Sequence, residues 1–204
     1  MKRLFIAMIL LLPLTVLAQD NTWERIEQEP VENPDAKYLL PGAVPICDGK
    51  VCFETTIQAP GKTADQIYRI LLKQLTKMTK ESNQLKNSLV AIQDSNRYQL
   101  GAVFHEWLVF KNSSLSLDQT QFHFRILANC TDGKAEIKIS HIYYDYDVDR
   151  KPIRYSAEEW ITDKFSVNKK RTKLYPISGK FRRKTIDRKD FIFKKLDTIL
   201  NESK

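Results

Sequence analysis

Four strand-like segments, at about 87–94, 97–110, 119–129 and 134–146, succeed one another with only short connections between them. Parallel neighbours need crossovers of a dozen or more residues, so short links confine this run to an antiparallel meander. Phe122, Phe124 and Ile126 alternate with His123 and Arg125, the period-two pattern of a strand buried on one face. Asp132-Gly133 offers a hairpin turn into Ala135, Ile137 and Ile139. An apolar sheet face must be covered, and the remaining sequence has to supply the cover.

Two stretches can do so. Thr63-Ala64-Asp65-Gln66 has the form of a capping box, and Ile67, Leu71, Leu75 and Met78 follow at helical spacing. A helix over about 64–82 is the result. Asp187 is a plausible N-cap for a terminal helix carrying Ile192, Leu196, Ile199 and Leu200. Ser156-Ala157-Glu158-Glu159 resembles another capping box and predicts a short helix with Trp160, Ile161 and Phe165. Ahead of the first helix, Val51 to Ile57 is rich in strand-forming residues and Pro60-Gly61 ends it. The fold class is α+β: a strand, a helix, a four-stranded meander and a terminal helix, with helices on one sheet face.

At the start of the chain, Lys2 and Arg3 precede an apolar run from Leu4 to Leu17, and Ala18 stands before polar Gln19. That order predicts a signal peptide over 1–18, too short for a comfortable bilayer span. Export to the periplasm or beyond is the expectation. Residues 19–44, with Pro30, Pro34, Pro41 and acids such as Glu24, Glu27 and Glu29, read as an extended arm, leaving 45–204 as a single domain. The chain carries +8 at pH 7, with thirteen bases between Lys164 and Lys195 against only Asp187 and Asp190. Such an excess favours phosphates, acidic glycans or lipid headgroups, unless it is a solvated surface neutralising the acidic arm. An exported chain is not expected to meet nucleic acid.

Within that excess, Lys169, Lys170, Arg171, Lys173, Lys180, Arg182, Arg183 and Lys184 are the candidate binding residues. Arginines can fork carboxylates or phosphates. Cys47 and Cys52 bracket an Asp48-Gly49 turn. A four-residue loop would set the sulfurs opposite one another, whereas a two-residue turn would pair Cys47 with Lys50 and leave them out of register. A disulfide and two half-buried thiols both stay open. No CxxC spacing supports zinc or redox chemistry. His105, His123 and His141 lie on successive strands, but the parity of His141 matches Ile137 and Ile139 while His123 opposes Phe122 and Phe124. One face cannot hold all three unless a bulge intervenes. Asp145, Asp147 and Asp149 open like a calcium loop, yet Arg150 and Ser156 replace the Gly and Glu the loop needs. No nucleophile elbow, zincin motif or phosphate loop occurs, so an enzyme is not expected and no cofactor is called for.

The order Asp35-Ala36-Lys37-Tyr38, Gly42-Ala43-Val44-Pro45, Asp48-Gly49-Lys50-Val51 and Phe53, followed by Ala157 to Lys164 and Gly179 to Asp187, resembles a secreted bacterial family. That family is a domain of unknown function described as having a fold like the TATA-binding protein, and the resemblance spans about 35–200. It implies the strand, helix, meander and terminal helix named above, and no activity. Cys47 and Cys52 stand where the resemblance implies apolar residues, which favours core thiols. The functional expectation is a non-catalytic binding module of the cell envelope, recognising an anionic surface or a protein through the basic C-terminal third. The alternative is a carrier of a small apolar ligand between the sheet and the terminal helix.

Overall fold

The computed structural model describes residues 34–114 and 116–202, so the leader expected over 1–18 and residues 19–33 of the arm lie outside the described residues. A short helix, α1 (Ala36–Leu39), leads to a hairpin of β1 (Ile46–Cys47) and β2 (Lys50–Val51), then to β3 (Phe53–Gln58) and α2 (Ala64–Met78). The meander is β4 (Leu89–Asp94), β5 (Gln99–Ser113), β6 (Ser116–Thr131) and β7 (Lys134–Tyr146). After it come β8 (Ile153–Ser156), α3 (Asp163–Ser166) and α4 (Pro176–Asn201). The large sheet runs β3-β7-β6-β5-β4, and β8 also pairs with β7, all antiparallel.

Local chemistry explains where these elements begin. Thr63 and Gln66 make the reciprocal capping bonds that start α2. Ala64 N–H also donates to the Asp132 carboxylate at 2.7 Å, which ties the helix start to the β6–β7 turn. α4 begins at Pro176 rather than near Asp187. Proline suits the first helical position because its missing N–H would be unpaired there. Gly179 lies in that first turn because a Cβ would sit 2.7 Å from the Leu174 Cβ.

Two expectations fail in this region. Ser156 closes β8 instead of opening a helix, because residues 153–156 pair with Tyr143 to Tyr146 of β7. Its hydroxyl still accepts from Glu159 N–H at 3.3 Å, so the capping contact forms without the helix. The domain also starts earlier than residue 45. Tyr38 and Leu39 are buried in the common core, and the Tyr38 hydroxyl donates to Asp187 of α4 at 2.8 Å.

α2 and α4 cover one sheet face. Phe104, Phe122 and Phe124 fill that layer, fully or almost fully buried, with Phe104 and Phe124 stacked at 5.0 Å. Each such side chain contributes about 1.5–3 kcal/mol of transfer energy. Inside the same layer, Arg188 of α4 forks Glu106 of β5 at 2.7 and 2.8 Å, and neither residue is exposed. Among the described residues, the opposite face carries no helix.

Candidate functional site

The basic residues of the C-terminal third do not form one patch. Arg182 is fully buried. It donates to the Tyr38 and Ile161 carbonyls at 2.7 and 2.8 Å and to Asp163 at 2.7 Å. Arg183 forks Asp35 at 2.8 Å through Nη2 and holds that carboxyl below its usual range. Arg171 bonds Asp163 and the Leu39 carbonyl, both at 2.7 Å. Lys180 bonds Asp118 at 2.6 Å. Lys184 is half-buried on α4. The expectation that Arg182 and Arg183 fork an external anion is therefore corrected. Their guanidiniums are the donors that fasten the α1 segment to α4, and residue type alone cannot distinguish the two uses. Burial opposes the charge on Asp163, but the two arginines outweigh it and its pKa stays low.

Lys169, Lys170 and Lys173 are exposed. They ride on a turn closed by the Val167–Leu174 bridge and by Asn168, whose side-chain oxygen accepts from Thr172 and Lys173 N–H. This turn stands beside α3 and the start of α4: Tyr175 N–H donates to the Ser166 carbonyl and the Ser178 hydroxyl to that of Phe165. Phe165, Tyr175 and Ile177 project here, exposed by 38%, 41% and 64%. Lys164 is exposed as well, its ammonium 5.0 Å from the Phe165 ring centroid. No ion pair engages these four lysines among the described residues. The result is an apolar tip rimmed by lysines.

On the bare sheet face the three histidines meet after all. Two residues of β7, His141 and Ile142, oppose Phe124 alone between the pairs His123–Tyr143 and Arg125–Ser140. The extra residue is a bulge, with His141 at φ 56°. It returns Ile142 to the core and lets His141 leave it. His105, His123 and His141 then line a concavity of about 270 Å³ with Lys50, Arg125 and Glu158. His105 Nδ1 lies 2.5 Å from His123 Nδ1, so one of the two carries the shared proton. Asp145 approaches His123 Nε2 at 3.3 Å while Arg154 holds the Asp145 carboxylate in its charged form. Burial, and then the neighbouring His105, depress the His123 pKa to about 4. Sequence parity made this cluster conditional on a bulge, and the bulge at His141 supplies that condition. The aspartates once compared to a calcium loop meet bases instead, Asp145 pairing with Arg154 and Asp147 with Arg150.

The space imagined for an apolar cargo between sheet and terminal helix is filled. The gap bounded by Phe53, Phe122, Phe124 and Ile192 has no room for a water-sized sphere. Aromatic side chains, Ile139 and Ile142 line it together with Arg188 and Lys189, so this gap between sheet and terminal helix offers an apolar cargo no space. The cysteines are free, and Cys47 pairs with Lys50, the two-residue turn. Burial, reinforced by Cys47 and Glu54 beside it, pushes the Cys52 thiol up to about 12. Among the described residues, no helix is long and apolar enough to cross a membrane.

An antiparallel sheet backed by helices on one face and open on the other places the molecule among TBP-like α+β folds. The model of a domain of unknown function (DUF4468) with TBP-like fold matches residues 53–145. A DUF4468 family protein from Bacteroides ovatus is 35% identical, with a TM-score of 0.77 over 84% of this chain and 98% of that one. The chain belongs to the DUF4468 family. A TBP-like protein from Parabacteroides distasonis shares the fold at 20% identity and a TM-score of 0.61, covering 79% of this chain and 99% of that one. No curated protein matches the chain.

Proposed function

We propose that this protein is an exported, non-catalytic binding module that docks its lysine-rimmed tip on an anionic surface of the cell envelope. One observation carries the reading: Lys164, Lys169, Lys170 and Lys173 surround exposed Phe165, Tyr175 and Ile177 without a carboxylate partner among the described residues. Cations near an anionic membrane surface contribute about 1 kcal/mol each. Apolar side chains between them gain by entering the headgroup layer. The two terms act together on one segment of the chain, residues 164–177. Screening by salt weakens the first term and leaves the second.

Co-sedimentation of the leaderless protein with vesicles tests this. Vesicles containing phosphatidylglycerol should bind it, and vesicles of phosphatidylcholine alone should not. Replacing Lys169 and Lys170 by Ala should weaken binding roughly thirtyfold, from about 1 kcal/mol per lysine. Ile177→Glu should weaken it without altering the salt dependence in the same way. Equal binding to both vesicles, or to neither, overturns the reading.

A further inference from the structure

We propose that Cys47, Cys52 and Glu54 form a binding site for a thiophilic divalent cation, zinc foremost. The two sulfurs and a carboxylate oxygen of Glu54 lie within 4.8 Å of one another. The Cys52 Sγ is 3.3 Å from Glu54 Oε1. Two thiolates and a carboxylate suit zinc, which takes such ligands tetrahedrally and accepts water at an open fourth position.

Backbone structure sets this convergence. Asp48 and Gly49 adopt φ of 52° and 74°, which closes a two-residue turn and pairs Cys47 with Lys50. Cys52 N–H donates to the Pro45 carbonyl at 3.1 Å, one pair beyond Ile46–Val51. The cysteines are thus diagonal neighbours on one face of the hairpin. Cys52 and Glu54, two apart in extended chain, point the same way.

The diagonal arrangement separates a metal from a disulfide. Diagonal neighbours lie ~7–8 Å apart at Cα, whereas disulfides span ~4.4–6.8 Å. A zinc ion with bonds of ~2.3 Å to each sulfur holds the sulfurs almost twice as far apart as an S–S bond does. The metal bridges the offset that a disulfide would have to strain across.

A positive charge already sits at this point. Lys138, opposite Glu54 in the β3–β7 register, places its ammonium 2.8 Å from Glu54 Oε1. Its stem is flexible and partly exposed, so it can leave for solvent when a metal arrives. Each thiol then loses its proton to water, two sulfur–metal bonds form, and the carboxylate exchanges an ammonium for the ion. No oxidant or reductant takes part.

Cobalt(II) titration of the protein, kept reduced with a phosphine, reads the site directly. One equivalent should produce a near-ultraviolet thiolate-to-cobalt band and tetrahedral visible bands, both bleached by zinc. Cys47→Ser, at the half-exposed cysteine, should abolish the thiolate band while the circular dichroism spectrum is retained. Lys138→Met should tighten binding by up to about fivefold, the worth of one competing exposed ion pair. A merely structural role for the cysteines would not move the cobalt spectrum. No band at stoichiometric cobalt, or an unchanged band in Cys47→Ser, overturns the proposal. So does an isolated protein lighter by two hydrogens before reduction, which would mean the sulfurs are joined to each other.

Discussion

Replacing Arg188 by Met should destabilise the fold by about 3–5 kcal/mol, because it strips a buried carboxylate of its partner. Arg188 and Glu106 both have zero exposure, and their two hydrogen bonds measure 2.7 and 2.8 Å. Gln84 Nε2 also donates to Glu106 Oε2 at 2.5 Å, and that bond survives the substitution. It places the cost toward the lower end of the range. For a domain of this size, each kcal/mol moves Tm by about 2–4 °C, so a fall of roughly 6–20 °C is expected. Urea-induced unfolding of wild type, Arg188→Met, Glu106→Met and the double variant is the assay. The double variant should be more stable than either single one, since a buried pair exchanged for apolar side chains of similar size is often neutral. A loss below about 1 kcal/mol for Arg188→Met would show that the charge finds another partner, and the reasoning would fail.

Two further outcomes follow from geometry already described. His123 is pushed down to about 4 when folded, against about 6.5 when unfolded, so the unfolded chain binds its proton first as pH falls. Its contribution is complete above pH 6.5 and is lost between there and pH 4, up to about 3 kcal/mol; unfolding free energies measured across that window should decline less in His123→Asn than in wild type, and parallel profiles would contradict the assignment. Gly179→Ala should cost about 1–3 kcal/mol, because its new Cβ would meet the Leu174 Cβ at 2.7 Å. A melting temperature unchanged by that substitution would mean the turn simply opens.

Much of the fold was legible because local and tertiary signals agreed. Thr63 and Gln66 announce α2, and Asp132-Gly133 turns β6 into β7 with positive φ at the glycine. Disagreement marks the failures. The stripe of α4 before Ile192 passes through Arg182, Thr185 and Arg188, all buried. A polarity pattern reads those positions as outward-facing, since their burial depends on Asp163 and Glu106, which lie far away in sequence. Ser156 and Glu159 carried a helix signal that strand pairing with β7 overrode. Of the basic cluster, Lys169, Lys170 and Lys173 face solvent, whereas Arg171, Lys180, Arg182 and Arg183 bind inward. The histidine cluster depended on one inserted residue at His141, and nothing in residue type predicts where a strand will buckle.

The clamp of Arg182 and Arg183 on residues 35–38 also fixes the smallest piece of this chain able to fold. A fragment trimmed to the matched span of 53–145 would lose α4 and leave a greasy sheet without its lid. Trimming only the front, at Cys47, would take the Tyr38 carbonyl from buried Arg182, the Asp35 carboxylate from half-buried Arg183 and the Leu39 carbonyl from Arg171. Shearing off those few residues should turn a stable fold into aggregating material, so an excision meant to isolate the domain must begin no later than Asp35.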